Sequence, residues 1–335
     1  MRKALLTSMA AAFALSTAMP ALAQVEERTI RISNGVNEDH PVGDGVDAFK
    51  ACVDEATDGA WTVNAFWGSS LGDDLDATQQ LRSGTLEAVI TSTSPLVGIE
   101  PALGVFDLPF LFANEEEADA ILDGEFGDYV SDMMPEHNLV NLAWWENGFR
   151  NLTNSVRPVE SVEDLNGMRV RVMQNNIFLD TFETLGANAT PMAFGEVFTA
   201  LETGAIDAQE NPFVTIDTSQ FYEVQDYLSV TRHAYTPFMF LFSKPVWDTY
   251  SEEEQNILVT CAEQGRDEQR RVSRELSDQS LAKLRESGMQ VNELSEEEQE
   301  RIREQVAEVY ERHAENIGPE VVERMQTALE EMRNQ

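Results

Sequence analysis

The chain has 335 residues, 42% hydrophobic and 25% charged, which excludes a disordered or fibrous protein and suits about two globular domains. Its 60 acidic residues against 23 basic ones give a net charge of −37, which excludes nucleic acid as a ligand because phosphate binding needs a basic surface. Such an acidic coat repels itself and is tolerable where salt screens it, as in a salt-adapted host.

The opening stretch, MRKALLTSMAAAFALSTAMPALAQ, joins a basic start (Arg2, Lys3) to an apolar run and then to Ala21-Leu22-Ala23, the small-residue pattern of a signal-peptidase site. Residues 1–23 are therefore expected to be a signal peptide cleaved near Ala23, and the mature protein to be exported. A membrane anchor is the competing reading. Pro20 breaks that helix, and no later stretch reaches the roughly 18 apolar residues that span a bilayer, so the mature chain is not expected to be membrane-embedded.

RTIRIS then alternates as a strand does, VGDGVDAFKACVDEATDG reads as a helix ending at Gly59, and WTVNAFW reads as a second strand, the start of an α/β sheet. Cys52 and Cys261 are the only cysteines. An exported protein can join them in a disulfide, yet both contexts also suit a free buried thiol, and the sequence leaves the choice open.

LRSGTLEAVI (Leu81 to Ile90) and LETGAIDAQE (Leu201 to Glu210) share one pattern: a helix end, a glycine suited to a left-handed cap (Gly84, Gly204), then a short strand. Ordinary helix-to-strand punctuation is the bland explanation; two lobes of similar build is the sharper one. If the lobes correspond, the polar segments after the strands, Thr91 to Ser94 and Asn211 to Phe213, lie at the carboxyl ends of strands, where open α/β sheets bind ligands. From Ser251 the chain reads as helical, with capping boxes at Ser251/Glu254 and Ser295/Glu298 and charge runs that suit solvated faces.

No P-loop, H-E-x-x-H, G-x-S-x-G or G-x-G-x-x-G motif occurs, and the four histidines have no metal-ligand spacing, so neither catalysis, a metal nor a cofactor has sequence support. Two arginine segments stand out instead. In MRVRVMQN the two-residue period puts Arg169 and Arg171 on one face of a strand, and WWENGFRN adds Arg150 after an aromatic run. Guanidinium groups held on strands grip carboxylates with paired, charge-assisted hydrogen bonds. For Arg169 a plain ion pair is the preferred reading; for Arg150 and Arg171 a ligand is.

SSLGDDLDATQQLRSGTLEA, ENGFRNLTNSVRPVESVEDLNGMRVRV and GANATPMAFGEVFTALETGAIDAQENPF, in that order, resemble the extracytoplasmic solute-binding subunits of tripartite ATP-independent periplasmic (TRAP) transporters, the C4-dicarboxylate-binding-protein-like family. The resemblance implies a periplasmic, two-lobed α/β clamp with hinge strands and a long bridging helix, which closes on a small organic acid and delivers it to sodium-driven membrane permease subunits. It implies lobe I at residues 24–147 plus about 237–276, and lobe II at 148–236 plus about 277–335. By motif, Arg171 corresponds to the carboxylate-binding arginine, Arg150 to a second ligand-facing arginine and Asn211 to a carboxylate hydrogen-bond donor. Phe194 corresponds to a pocket wall, Gln174 to a polar position past the arginine strand, and Thr91 and Ser92 to the first-lobe contact segment. Asn34, Asn37 and His40 of the first loop are further candidates. The usual RVP is RVM here, so the turn lacks proline, and TSTS lacks the acid or arginine of the family's sialic-acid binders.

Thr91, Ser92, Gln174, Glu210 and the loop asparagines exchange hydrogen bonds with hydroxyls, whereas a second carboxylate calls for another cation. A sugar acid such as a hexuronate (glucuronate or galacturonate) is therefore the expected ligand. The alternatives are a C4-dicarboxylate or keto acid and, in another class, an exported sugar-acid enzyme.

Overall fold

The computed structural model describes residues 26–334, so the expected signal peptide lies outside the described residues. Nine strands form one mixed sheet: β1 (Arg28–Asn34), β2 (Trp61–Phe66), β3 (Ala88–Ser92), β4 (Leu139–Asn154), β5 (Arg169–Val172), β6 (Asn188–Pro191), β7 (Ala208–Asn211), β8 (Tyr227–Ser243) and β9 (Gln290–Glu293). Their order is β2-β1-β3-β8-β4-β7-β5-β6, with β9 beside β8. β2, β1 and β3 are parallel to one another, and so are β7, β5 and β6. Between these two sets run β4 and β8, antiparallel and 16 and 17 residues long.

At about 3.3 Å per residue such strands are long enough to serve both sets. β3 pairs with Phe238 to Phe242 of β8, while β7 pairs with Asn151 to Asn154 of β4. The β4–β8 ladder shifts register between Asn141 and Ala143, Glu146 and Gly148, and Arg150 and Leu152. Irregularities of this kind bend and twist a strand, here where the two sets meet. The architecture is the expected α/β two-lobed clamp with strands crossing between its halves.

Strand alternation divides the core. Ala88, Ile90, Phe238, Phe240 and Phe242 pack with Phe49, Val53 and Trp145 on one face of the sheet. Val89, Met239 and Leu241 join, on the other, a larger core that continues through Val170 and Phe178 to Val306 and Val309 of the C-terminal helices. A smaller cluster around Val197, Ile216, Phe221 and Leu284 backs the second strand set.

The helix Glu252–Glu286 has 35 residues, about 52 Å at 1.5 Å per residue, and opens with both bonds of the expected Ser251/Glu254 capping box. Its first half crosses the helix Val42–Ala56 at glycines: a Cβ on Gly45 would sit 2.8 Å from the Gly265 carbonyl, and one on Gly265 equally close to that of Gly45. Cys52 and Cys261 pair beside this crossing as a disulfide with Cα atoms 5.4 Å apart, which decides the question the sequence left open. The last turns of the helix reach Leu284 in the small core and place Ser280 3.1 Å from Asp217, so the helix bridges the two strand sets. The second capping box forms only by half. Ser295 accepts from the Glu298 amide, but the Glu298 carboxylate turns away to Arg301 and the Val162 amide, a charge partner outcompeting a local backbone donor.

Candidate functional site

The two halves of the sequence repeat fold alike. Gly84 and Gly204 follow their helices with φ of 76° and 67°, in the left-handed region, and turn the chain into β3 and β7. The ends of those strands, Ser92 and Asn211, both line one cavity between the strand sets. Asn34, Asp74 and Phe238 also line it, as do Arg171, Gln174 and Phe194, and Asn147 and Arg150 of β4.

β5 carries Arg171 into this cavity with 3% of its surface exposed. Its Nε and Nη2 donate to the Met192 carbonyl at 3.0 and 2.6 Å, while Nη1 is buried with no partner. Three arginines are buried among the described residues. Arg150 and Arg270 have carboxylates within salt-bridge distance, and Arg171 has none. Burial therefore lowers its pKa to about 10 against the more distant charges of Glu210, Asp74 and Glu196, and the cation remains protonated at neutral pH.

Arg150 is fully enclosed and paired within the fold. It donates to the Glu210 carboxylate at 2.5 and 2.9 Å, to the Glu210 carbonyl at 2.6 Å, to Asn211 Oδ1 at 3.1 Å and to Thr236 Oγ1 at 3.3 Å. Burial alone would raise the Glu210 pKa, but the Arg150 charge and the bonds from His233 and Arg150 overcome it and hold the carboxyl at about 2. Arg150 thus reaches the cavity with its charge already balanced. On the other side of Arg171 along β5, Arg169 pairs with Asp207 at the surface, as its plain ion-pair reading expected.

The remaining sequence candidates divide by position. Ser92 lines the cavity with its hydroxyl buried and unpartnered; Asn34 lines it too, its amide bonded to the Ile90 carbonyl and the Val36 amide. Gln174 and Phe194 are wall residues, and Asn211 is one whose Nδ2 donates to Gln209 at 2.6 Å. Thr91, Glu210, Asn37 and His40 are not lining residues. Thr91 alternates away from Ser92 on β3, and Glu210 alternates away from Asn211 on β7 into the Arg150–His233 pair. Asn37 is exposed and donates to the Thr218 carbonyl at 3.3 Å, joining the first loop to the opposite strand set. His40 makes a similar junction, Nε2 to Thr215 Oγ1 at 3.2 Å, and burial lowers its pKa to about 3, so it is neutral.

Sequence reasoning missed several lining residues, among them Asp74 and Asn147. Asp74, the first residue of the helix Asp74–Ser83, brings a carboxylate whose pKa burial raises against a hydrogen bond from Thr91 and the charge of Arg171. The GDD run after the second strand was its only signal, lost among 60 acids. Asn147 comes from the N-G pair preceding Arg150. The face it presents depends on the register shift between Glu146 and Gly148, which strand alternation does not foresee.

The sequence profile of a bacterial extracellular solute-binding protein family, family 7 (DctP), matches residues 32–316. The chain belongs to that family, the solute-binding subunits of TRAP transporters. It is 36% identical over 257 residues to a solute-binding protein of Chromohalobacter salexigens, covering 77% of this chain and 76% of the relative. The crystal structure of the sugar acid binding protein of Advenella mimigardefordensis, in complex with galactonate, superposes with a TM-score of 0.90 at 43% identity, over 92% of this chain and 99% of that one. A TRAP periplasmic solute binding protein of Chromohalobacter salexigens with bound D-glucuronate superposes with a TM-score of 0.85 at 33% identity, over 89% and 99% of the two chains. Among the described residues of this TRAP subunit no helix is long and apolar enough to cross a membrane.

Proposed function

We propose that this subunit captures a sugar acid, a hexuronate such as glucuronate or galacturonate, by its carboxylate at Arg171, and delivers it unchanged to a sodium-driven TRAP permease from the periplasm. One observation carries the reading: a buried cation, free of any carboxylate within salt-bridge distance, keeps a donor without partner on a cavity wall. A ligand carboxylate supplies both the charge and the acceptor, and enclosure away from water strengthens the contact. Arg150, neutralised by Glu210, offers no second free cation, which favours a hydroxylated monocarboxylate over a C4-dicarboxylate. Related structures hold galactonate, D-glucuronate and β-D-galacturonate, and one at 27% identity holds succinate.

The clamp reading assigns lobe I to 24–147 plus about 237–276 and lobe II to 148–236 plus about 277–335. The register shift at Glu146/Gly148 opposite Thr236 and Pro237 supports those crossing points. The Asn37–Thr218 and His40–Thr215 contacts join the two sides, and binding favours that closed form by its differential affinity. A thermal-shift screen of uronates, aldonates, keto acids and C4-dicarboxylates tests the ligand. Hexuronates are expected to raise the melting temperature most; a shift with dicarboxylates alone, or turnover of any acid, overturns the reading.

A further inference from the structure

Besides Arg171 Nη1, two buried polar atoms of cavity-lining residues have no hydrogen-bond partner: Ser92 Oγ and Asn147 Oδ1. Asn147 is the more constrained. It is 6% exposed, and its Nδ2 donates to Thr236 Oγ1 at 3.1 Å, the same oxygen that accepts from Arg150 Nη1 at 3.3 Å. That bond engages one of the two amide N–H groups and leaves Oδ1 without a donor, and Oδ1 only accepts. A buried acceptor without a donor costs binding or folding free energy until something donates to it.

We infer that Asn147 is a specificity-determining residue of this site, its Oδ1 accepting a hydrogen bond from one hydroxyl of the bound acid. The inference rests on the sugar-acid reading and deepens it. An ionised carboxylate has no proton to give, so Asn147 Oδ1 discriminates by accepting only from a hydroxyl, while Arg171 on the same cavity donates. A hydroxy acid matches both groups; a dicarboxylate leaves Oδ1 without a donor. The amide is also held in place. Next to it the Glu146 backbone amide donates to Gln269 Oε1 at 2.9 Å, Gln269 donates back to the Glu146 carbonyl at 2.7 Å, and Arg274 holds the Glu146 carboxylate at 2.8 Å. Gly148 follows at φ 114°, in the left-handed region. The long bridging helix therefore fixes the backbone beside Asn147, and a fixed acceptor discriminates because it does not move to find another donor.

Isothermal titration with D-galacturonate, D-glucuronate and singly deoxygenated D-galacturonates, on the wild type and on Asn147→Leu, tests this. In the wild type, loss of one hydroxyl is expected to weaken binding about 10- to 100-fold. In Asn147→Leu the parent acid weakens by a similar factor, and removing that hydroxyl costs nothing further. Two results overturn the inference and leave the sugar-acid reading standing: no deoxygenation matters in the wild type, or Asn147→Leu weakens every acid equally while the hydroxyl keeps its full effect. Failure of the wild type to bind any of these acids overturns both. Asn147→Ala, which removes the amide without adding branched bulk, carries the same cycle where the leucine variant does not fold.

Discussion

Arg150 and Arg171 stand on neighbouring regions of one sheet, β4 and β5 joined through β7, and both are buried. Arg150 has its carboxylate partner within the fold; Arg171 has two bonds to a carbonyl and an unused donor. On the proposed function the difference separates a cation that holds the protein together from one reserved for the ligand. Burying a charge without a partner is costly, and a ligand carboxylate would supply the partner that Arg171 lacks.

The largest expected effect breaks the structural side of that comparison. Arg150→Ala leaves Glu210 buried without its main partner and is expected to lower unfolding stability by about 3–5 kcal/mol, measured by urea denaturation of the ligand-free protein. Arg171→Ala tests the ligand side: affinity for the best acid of the screen is expected to fall by roughly 3 kcal/mol, over a hundredfold, in calorimetry, while ligand-free stability is kept. Equal stability losses in the two variants would erase the distinction.

Acid sharpens the comparison next. The Glu210 pKa is held at about 2, below its ordinary value of 4.5, so the folded state binds fewer protons there than the unfolded one. The stabilisation is complete above about pH 4.5 and is lost as pH falls towards 2, about 2 kcal/mol of it by pH 3. Denaturation midpoints at pH 5, 4 and 3 should show this slope in the wild type and a shallower one in Glu210→Gln. The smallest effect belongs to Arg169→Ala. Its partner Asp207 lies at the surface where water solvates both charges, and neither melting temperature nor affinity is expected to change measurably.

Much of the site was legible where a motif and an alternation rule agreed. Arg171, Ser92, Asn211, Phe194, Gln174 and Asn34 all reach the cavity wall. Thr91 and Glu210 are adjacent in sequence to lining residues and face the other way, since successive side chains of a strand point to opposite faces. Asn147 was hidden by the opposite circumstance, a register shift that cancels the alternation locally, and Asp74 by sheer abundance of acids.

By itself the sequence determined the class of molecule: the α/β order, the paired helix-to-strand turns at Gly84 and Gly204, and a strand placing Arg169 and Arg171 on one face. These are local matters of backbone period and glycine conformation. Only the tertiary structure decided what each cation does. Arg150 meets Glu210 across 60 positions of chain, Cys52 meets Cys261 across 209, and Arg171 meets no carboxylate within reach. Coulomb energy and desolvation depend on distance and surroundings in space, and Arg150 and Arg171 acquire different partners only when the chain closes around them.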